Sequence, residues 1–216
     1  MKKIILDLCG GTGSWSKPYR DAGYDVRVIT LPDNDIRNER LQQELIALSP
    51  YGILVAPPCT MFSFARTNAK KPRDLKEGME CVRACLNVIW SCMEVQQETA
   101  KKTLPLQFWA LENPYHGFLR KFLSTPAFTF DPWEFGDPYQ KRTALWGHFN
   151  EPIKKPVQMT NEQKGKANST LHTLGTKFDY LKSKDIHPEH FGVFDRQTRR
   201  SITPQGFAQA FFEANQ

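Results

Sequence analysis

Residues 6–15 read LDLCGGTGSW, and the reading of this stretch decides the fold. The apolar run KKIILDL (2–8) meets Gly10, Gly11 and Gly13 at once, and SWSKPYRDAGY (14–24) suits a helix up to Gly23. A strand running into a glycine-rich turn and then a helix is the opening unit of an α/β sheet. Glycine lets a ligand approach the backbone closely, and a helix start offers free N–H groups. The spacing is not a full G-x-G-x-x-G, and no Gly-Lys-Ser or Gly-Lys-Thr follows. The turn therefore points to a nucleoside-type cofactor more than to a phosphate cradle, with a purely structural turn as the alternative.

Outward from this unit the same alternation continues. DVRVITL (25–31) has the strand period, RNERLQQELIAL (37–48) carries Leu41, Leu45 and Leu48 at helical spacing, and YGILVAP (51–57) reads as a buried strand. A long helical pattern runs from Asp74 to about Lys101, with Met79, Val82, Leu86, Ile89, Trp90 and Met93 on one side. Strands are expected in QFWALEN (107–113), AFTFDPWEF (127–135) and TALWGHF (143–149), and a helix near HGFLRKFL (116–123). The pattern predicts an α/β fold, a mostly parallel sheet with helices on both faces. Residues 150–198 lack periodicity and predict a small irregular region between a core (1–149) and a returning segment (199–216). In that segment Thr203 is expected to cap a helix, with Pro204 at its first position.

Composition is that of an ordinary globular chain, 40% hydrophobic and 24% charged over 216 residues. The first residues have too short an apolar run for a signal peptide, so a cytoplasmic location is expected. Five cysteines without a CxxC pair argue against a disulfide framework, and with scattered histidines they predict no metal. Cys81, Cys85 and Cys92 read as helix-core residues. The +6 net charge is gathered at Lys70–Arg73, Lys141–Arg142, Lys154–Lys155, Lys164–Lys166 and Arg196–Arg200. It suits a polyanionic partner if these clusters share a face.

Two further strand ends carry chemistry. LVAPPCTMFSFAR (54–66) closes a strand with Pro57 and Pro58, which fix the backbone and remove two N–H donors, and sets Cys59 just beyond. In a parallel sheet ligands bind beyond the carboxyl ends of the strands, so the position of Cys59 favours a nucleophile, with a buried inert thiol as the alternative. ALENPY (110–115) repeats the arrangement with Glu112, a carboxylate that burial can keep protonated or that can serve as a hydrogen-bond handle, with a simple loop cap as the alternative, followed by Asn113 and Pro114.

A glycine turn, then Pro-Pro-Cys, then Glu-Asn-Pro on successive strands resembles the cytosine-C5 DNA methyltransferase family over residues 3–149, with a weaker echo at 199–212. Asp7, Leu8, Gly11 and Gly13 match the family's first motif, while Cys9 and Ser14 replace its Phe and last Gly. Pro57, Pro58 and Cys59, with Phe62 and Ser63 behind, match its Pro-Cys motif. The resemblance implies a Rossmann-like fold, S-adenosylmethionine as cofactor and DNA as partner. It places Cys59, Glu112 and Arg142 in catalysis, and Asp7, Leu8, Cys9, Gly10, Gly11, Thr12, Gly13, Asp35, Ile36 and Pro57 around the cofactor. Pro58, Phe62, Ser63, Asn113, Gln140 and Arg200 fall around the substrate.

Gln140 and Arg142 match a Gln-x-Arg-x-Arg motif whose second arginine is Ala144 here. Arg199 or Arg200, Thr203 and Pro204 match an Arg-x-x-Thr-Pro motif, but the Gly-Asn-Ser/Ala-Val segment does not follow it. Only residues 150–198 stand where the family has a large target-recognition domain, and compact relatives of this kind are expected on phage or prophage genomes. RNA or a free pyrimidine nucleotide is the alternative substrate, and a degenerate, non-catalytic binding protein the alternative class.

Overall fold

A computed structural model describes residues 2–64, 71–99, 106–137, 139–158, 194 and 196–216. Six strands form one sheet: β1 (Ile4–Leu8), β2 (Asp25–Ile29), β3 (Gly52–Val55), β4 (Phe108–Pro114), β5 (Phe128–Phe130) and β6 (Thr143–His148), in the order β2-β1-β3-β4-β6-β5. The first four are parallel, and β6 lies antiparallel between β4 and β5. Helices α1 (Lys17–Asp21), α2 (Glu39–Ala47), α3 (Leu75–Thr99), α4 (Arg196–Ser201) and α5 (Gln205–Ala214) complete the described elements. The fold is Rossmann-like α/β, as the alternation predicts.

Strand parity divides the core in two. Leu6, Leu8, Ile53, Val55 and Leu111 pack with Leu45 of α2 and with Val82, Cys85 and Ile89 of α3. Ile5, Leu54, Phe108, Ala110 and Leu145 face the other way, onto Trp15, Tyr19 and the α5 residues Phe207 and Phe211. Phe207 lies over Phe130 with ring centroids 3.9 Å apart and planes 12° from parallel. Such a pair contributes about 1 kcal/mol beyond the area it buries. At Gly206 a Cβ would overlap the Phe135 carbonyl oxygen, so α5 reaches this depth only with glycine there.

The elements depart from the sequence reading where a local hydrogen bond overrides periodicity. The helix after the glycine turn is confined to Lys17–Asp21, because Gly13 takes a left-handed φ of +68° and donates back to Gly10. HGFLRKFL makes only a 3-10 turn over Leu119–Lys121. In AFTFDPWEF the strand stops at Phe130. Pro132 has no N–H to donate, and Asp131 and Glu134 form a reciprocal capping box that turns the chain. Helix α5 begins at Gln205 with Pro204 as its cap residue, not its first helical residue, and it is the Asp137 carboxylate that accepts from the Gly206 N–H at 3.0 Å.

Residues 159–193 lie outside the described residues, and with them most of the expected target-recognition region. The preceding piece runs against the 3-10 turn, where Lys155 N–H donates to Glu134 and Val157 N–H to Trp133. Among the described residues no helix is long and apolar enough to cross a membrane.

Candidate active site at the carboxyl ends of the parallel strands

Register brings the three strand ends level. Leu8 lies opposite Val55, and Val55 opposite Leu111, so the turns after β1 and β3 leave the sheet beside the last residues of β4, Glu112 to Pro114, which remain paired with β6. The glycine turn, the Pro-Pro-Cys turn and Glu112-Asn113 are therefore neighbours. Ala56 N–H donates to Leu8 at 2.9 Å, and buried Asn113 donates through Nδ2 to the Pro57 carbonyl at 3.0 Å. Asn113 thus positions the turn that carries Cys59. Pro57 is buried and Pro58 exposed.

Half-buried Cys59 opens a 3-10 turn, with its carbonyl accepting from the Phe62 and Ser63 N–H groups at 2.9 and 2.8 Å. Phe62 corrects the sequence expectation of a substrate contact. Its side chain is fully buried, packed where Gly78 lets α3 come close, and it anchors the turn from beneath. The Arg73 guanidinium holds the far end, donating to the carbonyls of Met61 and Ser63, and Ser63 bridges to Gly117.

The cation at Glu112 is Lys141, not Arg142. Lys141 Nζ lies 3.9 Å from Glu112 Oε1 and donates to the Arg200 carbonyl at 3.2 Å, which ties the start of β6 to α4. Arg142 turns toward β5, donating to Thr129 Oγ1 at 2.8 Å and pairing with Asp131 and Glu134 at 3.3 and 3.7 Å. Ala144 is fully buried within the core, paired with Asn113 and Thr129, so an arginine there would point into packed side chains. Gln140 is exposed beside this lead-in. The adjacent basic pair Lys141-Arg142 is the sequence signal that marked this place. Which of the two meets Glu112 depends on the β4–β6 register.

Burial pushes the Cys59 thiol above its ordinary value. Lys141 and Arg200 pull it down, and Glu112 works with burial. The expected substrate residue Arg200 is thus within electrostatic reach of Cys59.

On the other flank, Asp7 is fully buried beneath the glycine turn. Its Oδ2 accepts from Ser16 Oγ at 2.5 Å, and its Oδ1 has no hydrogen-bond partner among the described residues. Burial pushes its pKa up to about 6, against the Ser16 hydrogen bond and the Arg20 charge. Gly10 permits this arrangement, because a Cβ there would overlap the carboxylate. Exposed Gly11 is left-handed at φ +54° with open space where a Cβ would stand, which suits close approach by a ligand. Thr12 Oγ1 and Ser14 Oγ share a hydrogen bond at 2.5 Å, and Leu8 is a core residue. In the loop after β2, Asp35 is clasped by the Arg37 guanidinium at 2.6–3.1 Å. Ile36 is buried, and its carbonyl accepts from Gln42 Nε2 at 2.9 Å.

Sequence reading missed one cluster. Cys9, at the mouth of the glycine turn, meets Cys81 and Cys85 of α3, with Sγ–Sγ distances of 3.5 and 3.9 Å. Hydrogen bonding from Cys85 and Cys9 holds the Cys81 thiol down, while Cys9 and Cys85 are raised by their bonds to Cys81. Spacing of four on a helix puts Cys81 and Cys85 on one face, but the third member comes from a different element.

Basic clusters are largely paired where they are described. Lys71 binds Glu77 at 3.2 Å, Lys154 binds Glu134 at 2.8 Å, and Lys155 binds Glu213 at 3.5 Å. Lys70, Lys164 and Lys166 lie outside the described residues.

No family model matches the chain. No curated protein matches its sequence. Among solved structures, the Entamoeba histolytica methyltransferase EhMeth is similar at 12% identity and a TM-score of 0.36, over 74% of this chain and 56% of that one.

Proposed function

We propose that the protein methylates cytosine at C5 in DNA, with S-adenosylmethionine as methyl donor. One observation carries the reading: the Cys59 turn leaves β3 beside Glu112 near the end of β4, locked by the Asn113–Pro57 hydrogen bond, with Lys141 against the carboxylate. Asp7 and residues Cys9 to Gly13, with Asp35, Ile36 and Pro57, would hold the donor, and the exposed left-handed Gly11 and the unpartnered Asp7 Oδ1 fit a polar ligand at that turn. When bound, S-adenosylmethionine supplies an electrophilic methyl group.

The chain's own residues make the ring nucleophilic. The Cys59 thiolate adds to C6 while Glu112 delivers a proton to N3, and the electron density released collects at C5. After methylation the C5 proton passes to solvent, the C6–S bond breaks and the thiolate returns, while N3 gives its proton back to Glu112. Lys141 and Arg200 favour the anionic sulfur against the pull of burial. A base inside a duplex must be extruded to reach Cys59.

The short stretch 150–198 between the Gln-x-Arg and Thr-Pro motifs favours a second reading, a cytosine in RNA or a free nucleotide, neither of which needs a full duplex-reading domain. Duplex DNA, RNA and nucleotide carrying 5-fluorocytosine separate the two, since fluorine cannot leave as a cation and the adduct persists. A covalent adduct on DNA that requires S-adenosylmethionine and disappears in Cys59→Ala is expected. An adduct on RNA or nucleotide alone favours the second reading, and full activity of Cys59→Ala overturns covalent catalysis. Glu112→Gln should slow turnover by roughly 10²–10⁴-fold, the usual contribution of a general acid.

A further inference from the structure

We infer that Cys9, Cys81 and Cys85 form a binding site for one thiophilic divalent ion of the zinc class, which clips the glycine turn to α3. The three Sγ atoms lie within 4.8 Å of one another. A tetrahedral ion with zinc–sulfur bonds of about 2.3 Å needs sulfurs about 3.8 Å apart. The observed 3.5 and 3.9 Å separations from Cys9 bracket that value, so an ion fits by small side-chain rotation.

Cysteine packed as a small apolar residue has no need of two other thiols as nearest neighbours. Here two elements remote in sequence turn their sulfurs onto one point, and Cys9 does so from a left-handed φ of +57° that a residue with a Cβ seldom adopts. Cys85 is buried, whereas Cys9 and Cys81 are half-buried, which leaves the ion a route in. Among the described residues no fourth His, Cys, Asp or Glu joins the group, so a water or other small ligand completes the coordination. Binding replaces three S–H protons, which pass to solvent, by three metal–sulfur bonds and leaves the oxidation state unchanged. The inference is independent of methyl transfer, because it rests on sulfur positions alone.

The test is titration of the reduced full-length protein with Cd²⁺ and Zn²⁺, followed by thiolate-to-cadmium absorption and native mass spectrometry. One ion per chain is expected, with loss of about three protons. Cys81→Ser, at a half-buried position, should weaken Cd²⁺ binding more than about a hundredfold, beyond the cost of losing a supporting group. Cys92→Ser, a buried thiol outside the cluster, should bind as the wild type does. Zn²⁺ should raise the melting temperature of the wild type and leave that of Cys81→Ser unchanged, a readout that also reports whether the variant folds. No thiolate absorption, or binding that survives in both Cys81→Ser and Cys85→Ser, overturns the site. So does reduced protein that binds no ion while the oxidised protein carries a disulfide within the trio.

Discussion

Asp7 is the residue whose burial should be felt most widely. Its folded-state pKa of about 6 lies above the ordinary 3.8, so the folded chain binds its proton more tightly than the unfolded chain. Its contribution to stability is present below about pH 3.8 and is lost as pH rises through 6, for a difference of about 3 kcal/mol. Asp7→Asn keeps an acceptor for Ser16 and removes the charge. Melting curves between pH 4 and 7 should show the wild type losing stability on this account and the variant spared that loss. Lys141 is the second sensitive residue. Lys141→Gln takes away a cation that opposes the effect of burial on Cys59, so alkylation of this thiol at fixed neutral pH should slow severalfold. Arg142→Gln should leave the rate unchanged, because the Arg142 side chain is committed to Thr129, Asp131 and Glu134.

Strands were legible because apolar runs bounded by glycine and proline have few other readings. β1 and β3 fall within the stretches KKIILDL and YGILVAP that announce them, and β4 runs one residue past QFWALEN. The short elements were not, since Pro132, the Asp131–Glu134 box and the Asp137–Gly206 bond act over three or four residues or between distant ones. Helix α5 shows what such a contact is worth. Gly206→Ala should force α5 off the Phe135 carbonyl and disturb the Phe130–Phe207 stack, for a loss of about 3 kcal/mol. In a domain of this size that amounts to a fall of about 10 °C in melting temperature, measurable by calorimetry.

For the whole molecule, the site was readable as far as it depends on strand ends. In a parallel sheet those ends share an edge whatever the register, so Cys59 and Glu112 could be placed together from their motifs. Two features required three-dimensional knowledge. The choice of Lys141 over Arg142 comes from the antiparallel alignment of β6, and the thiol trio from α3 lying against the end of β1. Neither pairing leaves a periodic trace in the chain. The packing of α5 across Trp15, Tyr19 and Phe108 has a consequence for how the protein is made. A ribosome releases β1 and α1 long before Gln205–Ala214, so one face of the nascent sheet stays bare until α5 emerges. Trp15 and Tyr19 precede their α5 partners by almost two hundred residues, a separation that slows folding and leaves aromatic surface open to chaperones in the interval.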